Sequence, residues 1–337
     1  MFNSSRRRLF KASLASFLAG GYSLASFAEV QAWGIAAPLP LNTQELYPTV
    51  HKGRLYVAGG IASKDGEIYF TNRCISYDPS ADQWRDEADL PEAMHHAALV
   101  SNGDRLFLVG GFNGDFSHIW RMRQQVYELV NDEWVAINKL PQAQAEGVLA
   151  MAPDGALHLA TGQSPSGEAN SKRSDHSEVV THLRWDPSDE EWETRAPIPT
   201  ARNSATGGWI ENQLIVTGGR TASGNLNDTE IYELSSDKWR TAAPLPLPQA
   251  GTASVVVDDG LIVFGGEIFV PDAAVFAEVW RYSLSADKWR RLPDMVTPRH
   301  GIGAGRFGDK IHVVGGATSP SGRGTSNLNE VLDLSAL

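Results

Sequence analysis

Six times along the chain a residue stands fifteen positions before a Gly-Gly pair, or once before Thr161-Gly162. These residues are Gln44, His95, Glu146, Asn203, Ala250 and His300, and five of the six are polar. Directly after the pairs come Ile61, Phe112, Gln163, Arg220, Glu267 and Ala317. One position before the first series stand Thr43, Met94, Ala145, Arg202, Gln249 and Arg299. If these columns converge, Arg202, Arg220 and Arg299 supply cations, Glu146 and Glu267 acids, and His95 and His300 proton carriers. Arginine grips carboxylates with paired N–H donors, and the amides of Gln44, Gln163 and Asn203 read hydroxyls. Such a set suits a sugar or a small carboxylate; a water-filled opening with no dedicated ligand is the alternative. The nine histidines are scattered, and the adjacent His95-His96 point to opposite faces if they lie in a strand, so no metal site is expected. No phosphate loop or Ser-His-Asp order stands out, and no cofactor is expected.

The elements that would hold these columns recur at near-constant spacing. From a Trp to the first residue of each pair the count is 26 for Trp33–Gly59, Trp84–Gly110, Trp192–Gly218, Trp239–Gly265 and Trp289–Gly315, and 27 for Trp134–Thr161. An aromatic residue precedes five of the Trp residues by seven positions: Tyr77, Tyr127, Trp185, Tyr232 and Tyr282. Turn chemistry such as Asp78-Pro79-Ser80 and Asp186-Pro187-Ser188 fills the gap. Each unit carries four short strand signals, in the fifth unit near Gly251–Val257, Gly260–Gly266, Phe276–Leu284 and Lys288–Arg291. A four-stranded sheet cannot bury both faces alone, and a period near 50 residues makes the stack an all-β propeller. The gaps between strand signals are too short for helices.

Strand ending in Gly-Gly, variable loop, aromatic-acidic pair and then Trp together resemble the kelch repeat, over about residues 31–337. The resemblance implies a six-bladed β-propeller in which the first strand of each blade lines a central channel. The blades would span 43–87, 94–137, 145–195, 202–242, 249–291 and 299–334. The sixth lacks a fourth strand, and Val30-Gln31-Ala32-Trp33-Gly34 supplies it, closing the ring so that no sheet edge is left at the seam. The repeated Gly, Trp and Tyr are then scaffold, and recognition falls to the slots that differ between blades. The 22 residues between Gly162 and Trp185 hold the longest loop, either a lid or partner-binding element or an idle insertion.

Three chemistries follow from relatives of this architecture. A copper-radical galactose oxidase-like site needs two Tyr, two His and a cross-linked Cys; Cys74 lies in a strand signal and no Tyr-His neighbours occur. Resemblance to the periplasmic N-acetylneuraminate epimerases implies a sugar mutarotase in which Glu267, directly after Gly-Gly, is catalytic. The Arg that family carries a few residues on is Ala273 here, and Arg220 stands in the same slot of the neighbouring blade. The third and preferred reading is a binding module without catalysis, taking a glycan, a small carboxylate or a partner protein at the channel mouth, with the ten residues Gln44, His95, Glu146, Gln163, Arg202, Asn203, Arg220, Glu267, Arg299 and His300 as its ligand-binding set.

The N-terminus combines Arg6-Arg7-Arg8-Leu9-Phe10-Lys11, a short apolar run and Ser26-Phe27-Ala28, which together resemble a twin-arginine signal peptide over residues 1–28. Residues 29–337 are expected as a monomeric periplasmic propeller with no stable membrane insertion. Without 1–28 the chain holds 25 basic and 40 acidic residues, a net charge of −15, which disfavours nucleic acid. Cys74 is the only cysteine, so packing and sheet closure must replace any internal disulfide.

Overall fold

The computed structural model describes residues 32–114 and 118–337; the expected leader, 1–28, lies outside the described residues. Six four-stranded antiparallel sheets form the framework of the described residues. In the fifth blade, innermost outward, they are Ala253–Val257, Gly260–Phe264, Val279–Ser283 and Lys288–Leu292. The first hairpin turns at Asp258 with φ 47°, the positive value that tight hairpin turns require. Second strands such as Leu106–Val109 and Gly260–Phe264 bury every residue between neighbouring sheets, hence their unbroken apolar sequences. Innermost strands touch one another in cyclic order, and Gly303–Phe307 of the sixth blade meets Thr49–His51 of the first.

Gly-Gly ties each blade to the next. The second residue of every pair donates its N–H to a carbonyl at the start of the following blade. Gly60 reaches Met94 O at 2.7 Å, Gly111 reaches Gln144 O at 3.4 Å and Gly162 reaches Arg202 O at 2.8 Å. Gly219 reaches Gln249 O at 2.8 Å, Gly266 reaches Arg299 O at 2.9 Å, and Gly316 reaches Thr43 O at 2.8 Å. The cycle is complete. A Cβ on the first glycine would lie 2.4 Å from Met94 O at Gly59 and 2.3 Å from Arg299 O at Gly265. Thr161 takes this place in the third blade at φ 56°, and its hydroxyl joins the contact by donating to Arg202 O at 2.7 Å.

The seam repeats the internal joints. Trp33–Ile35 pairs antiparallel with Asn329–Asp333, with Trp33 opposite Leu332. The indoles of Trp84, Trp239 and Trp289 donate to the carbonyls of Ala37, Ala196 and Ala243, each four residues after the previous blade's Trp. Trp33 makes the same bond to Pro293 O at 3.0 Å, four residues after Trp289, and meets Phe264 edge-on at 6.3 Å. It therefore occupies the sixth blade's Trp position.

Between the third and fourth blades His158 and His182 are buried against Tyr232 and Trp209 or Trp239. His182 Nδ1 donates to Ala196 O at 3.3 Å, so its Nε2 accepts from His158 Nδ1 at 2.9 Å and both rings are neutral. Burial pushes His158 down to about 3, assisted by His182, and His182 down to about 4.

Two outcomes follow. Trp33→Ala should lower the unfolding free energy by about 3–5 kcal/mol, whereas Ile35→Ala, on the same strand and 78% exposed, should stay within about 0.5 kcal/mol. Urea titration followed by circular dichroism compares them; equal midpoints would refute the seam. Acid gives the second. The unfolded rings of His158 and His182 take protons near pH 6.5 and the folded ones only well below it, so the unfolded state binds more protons in that interval. Stability should be full above about pH 6.5 and fall by about 1–2 kcal/mol per ring by pH 5. The double variant His158→Leu/His182→Leu should flatten that slope in urea titrations at pH 7.5, 6 and 5.

Candidate functional site

Beyond each Gly-Gly the chain leaves the blade sheet and rises above the channel. Ile61–Lys64 pairs with Glu67–Phe70, and Gln163–Pro165 pairs with His176–Glu178. These hairpins, with segments from the second, fourth, fifth and sixth blades, enclose a cup of about 870 Å³. One wall is apolar: Ile61, Ile68 and Phe70 from the first blade, Ile119 and Trp120 from the second. The rest is polar, with Gln163, Arg173, His176 and Glu178 from the third blade, Asn203 and Arg220 from the fourth, and Glu267 from the fifth. The long loop after Gly162 is thus part of the cup. Asn170 anchors it to the second blade through both backbone groups of Met122, at 2.8 and 3.0 Å.

The floor is built by a column that counting from Gly-Gly passed over. Glu45, His96, Glu146, Ser204, Gly251 and Gly301 all have φ between 53° and 65°, at the corner where each blade turns into its innermost strand. Just before the corner, Gln44, His95, Ala145, Asn203, Ala250 and His300 bridge to Ile61, Phe112, Gln163, Arg220, Glu267 and Ala317. Counting set Glu146 beside Gln44 and His95. The turn 152–156 of the third blade is one residue longer than 102–105 of the second, so Glu146 belongs with Glu45 and His96.

Acidic and basic side chains alternate around this floor, one per blade. Glu45 Oε2 lies 3.0 Å from His96 Nε2, which lies 3.3 Å from Glu146 Oε1. Arg220 feels Glu146 first among the acids and pairs with Glu267 at 2.6 Å. Glu267 Oε2 is 3.5 Å from His300 Nδ1, and that atom is 3.9 Å from Glu45 Oε1. Carboxylates only accept, so Nε2 of His96 carries a proton. His95 gives its Nε2–H to Ile119 O at 2.7 Å, leaving Nδ1 to accept from His96 Nδ1 at 2.6 Å. His96 thus faces two carboxylates through Nε2 and His95 through Nδ1, while burial, then His96, pushes His95 down to about 3. Burial opposes the charge on Glu45, yet His96, then His300 and Arg220, hold its carboxyl well below the usual range. Beneath the ring, the ends of all six innermost strands enclose a second cavity of about 120 Å³.

Of the ten residues singled out from the sequence, Gln163, Asn203, Arg220 and Glu267 line the cup, and Glu146 and His300 lie in its floor. His95 is packed beneath, between Phe70 and Phe112. Gln44 is buried, and neither amide atom has a hydrogen-bond partner among the described residues. Arg202 and Arg299 are not ligand donors. Arg202 donates to Gly218 O and Asp228 O and pairs with Glu230 at 2.6 Å; Arg299 donates to Gly315 O and pairs with Glu330 at 3.1 Å. Both are fully buried, and Gln144 and Gln249 cap the carbonyls of Thr161 and Gly265 in the same way. Counting missed Glu45, His96, Arg173 and Glu178. The signal for the first two was a column that carries glycine, the residue that adopts a left-handed backbone freely, at Gly251 and Gly301.

Arg173 and Arg220 take over the cationic role. Arg173 lies over the Trp120 ring at 4.8 Å and reaches Glu146 only at 3.7 Å; Arg220 lies over Phe269 at 5.4 Å. Both oxygens of Glu267 are engaged, Oε1 by Arg220 and Oε2 by the N–H of Ser321 at 2.9 Å. Cys74 sits in the core with Tyr56, Leu90 and Met94, and burial, then Glu87 and Asp89, pushes its thiol far up. It takes no part in the cup.

Two family models match the chain: the KLHDC2/KLHL20/DRC7 Kelch-repeats domain over residues 178–316 and the Kelch motif over residues 48–91. Among curated relatives, Kelch-like protein terF of Aspergillus terreus is 26% identical over 199 residues, 56% of this chain and 42% of its own length. Beta-scruin of Limulus polyphemus is 26% identical over 174 residues, 51% of this chain and 18% of its own. Kelch-like protein 35 of Mus musculus is 30% identical over 139 residues, 41% and 22% respectively. The chain covers less than half the length of each of these relatives.

Removing the base between two acids tests the floor. His96→Leu leaves Glu45 and Glu146 facing each other without their shared proton and should cost about 3–5 kcal/mol. Adding Glu45→Gln should restore part of the loss, with a coupling above about 1 kcal/mol in urea titrations. Strict additivity would show that His96 does not couple the two carboxylates.

Proposed function

Because the chain is a kelch-repeat protein, and kelch repeats typically mediate protein–protein interaction, we propose that it acts as an exported binding module. The cup takes a polar group, presented by a partner protein or by a small ligand of the same chemistry. The observation that carries this is the cup itself, with a pre-formed polar floor, two arginines on aromatic rings and an apolar wall. A site of this volume and mixed lining is what ligand recognition uses. Phe269 and Val270 stand exposed at the rim, where a protein partner would cover them. Export rests on the basic and apolar N-terminal sequence. The rigid floor and the interchangeable loops above it divide the work as scaffold and reader.

Site-specific photocrosslinking tests this reading. A benzophenone side chain replaces Ala222, which lines the cup, or Asn102, in the hairpin turn at the other end of the second blade. Irradiation in the producing cell should give a discrete adduct from position 222 and none from 102, or native mass spectrometry should find a retained small ligand. Arg220→Ala should weaken either signal at least tenfold. Adducts only from position 102, or neither adduct nor retained ligand, would overturn the cup as the binding site.

A further inference from the structure

The two sides of the cup make different demands on an occupant. Ile61, Ile68, Ile119 and the ring of Trp120 line the side of the cup on the first and second blades, surfaces that cover hydrocarbon or an aromatic face. The fourth and fifth blades present Arg220 with Asn203 and Glu267. The acids nearest this polar side already have partners inside the protein. Glu267 holds Arg220 and the Ser321 N–H, Glu45 holds His96, and Glu178 accepts from Gln163 at 3.2 Å and Asn203 at 2.8 Å. Donors remain unspent. Arg220 uses Nη1 on Glu267 and Nε on Asn203, and its Nη2 makes no hydrogen bond among the described residues. Among the described residues Arg173 has no hydrogen-bonded acid and pairs with Glu146 only at 3.7 Å. Each guanidinium lies on an aromatic ring, which orders it and leaves its N–H edge available.

We infer that the occupant of the cup is an amphiphilic carboxylate, with an aryl or branched-alkyl body against the Ile61–Ile68–Ile119–Trp120 wall and its carboxylate on Arg220 and Arg173. This deepens the binding reading above and rests on it. A free sugar leaves the apolar wall without hydrocarbon to match it, and an amine meets the two unspent guanidinium edges. A carboxylate completes both arginines with charge-assisted hydrogen bonds, the strong kind available at this site.

Calorimetry on the purified protein with four probes decides the matter: 4-phenylbutyrate, its amide, 4-phenylbutylammonium and acetate. The acid should bind at least tenfold more tightly than the amide and the ammonium, with acetate weaker still because it lacks the apolar body. Arg173→Gln, on the surface loop and outside the ring of acids and bases, should cut the preference for acid over amide several-fold. Ile68→Ala should weaken acid and amide alike. Equal binding of acid and amide, tighter binding of the ammonium, or no binding of any probe up to about 10 mM would overturn the carboxylate assignment. A position-222 photoadduct that persists beside such a result would leave the cup as binding site and remove only its ligand class; loss of the photoadduct as well would remove both.

Discussion

Everything in this propeller depends on the close approach of one blade's Gly-Gly to the next blade's backbone. In five blades nothing projects from the first residue, and a methyl group at Gly59 would already overlap Met94 O; in the third, the Thr161 hydroxyl fits by bonding the same carbonyl that Gly162 N–H reaches. The carbonyl that accepts this bond belongs to the residue just two places before the left-handed corner, so one contact sets both the spacing of blades and the placement of the floor. Arg202, Gln249 and Arg299 then cap the carbonyl of the first glycine in their own blades. With Cys74 as the lone cysteine, six such joints and the Trp33 seam do the work that cross-links do elsewhere.

The fold was largely legible because its determinants are local and repeated. Gly-Gly, the following aromatic and the Trp recur at fixed intervals, and even the displaced strand at Trp33 could be matched to the missing one. The site was legible in part. Gln163, Asn203, Arg220 and Glu267 were found because they follow or bridge to the Gly-Gly slot and so inherit its regularity. Glu146 was found for the wrong neighbours, since one extra turn residue shifted the count in the third blade. Arg202 and Arg299 misled because an arginine that caps a carbonyl and one that waits for a ligand look alike in sequence. Glu230 and Glu330, which neutralise them, lie 28 and 31 residues downstream, and only the fold brings them near. Glu45 and His96 were hidden by position, since the torsion that aims them cannot be read from residues other than glycine.

Floor and walls have different origins, and this shapes how the site can change. The floor arises from positions that each blade must possess, at a corner fixed by the blade joints. The walls arise from segments the blades do not share, such as the third blade's 163–178 hairpin and the first blade's 61–70 hairpin. Sequence drift in those segments alters what the cup accepts while leaving the propeller intact, which is the usual division between scaffold and recognition loops.

The alternation of acids and bases around the floor has a consequence in arithmetic. A closed ring can alternate two kinds of member only if it is even, and six satisfies this with Glu45, His96, Glu146, Arg220, Glu267 and His300. Losing or duplicating a single blade would set two acids or two bases side by side, as antiparallel spins are frustrated on an odd cycle. In so buried a place, like charges in contact cost several times what they would in water. The order of side chains at this channel mouth therefore suits an even number of contributors, and a change of one unit would disturb it at the point of change.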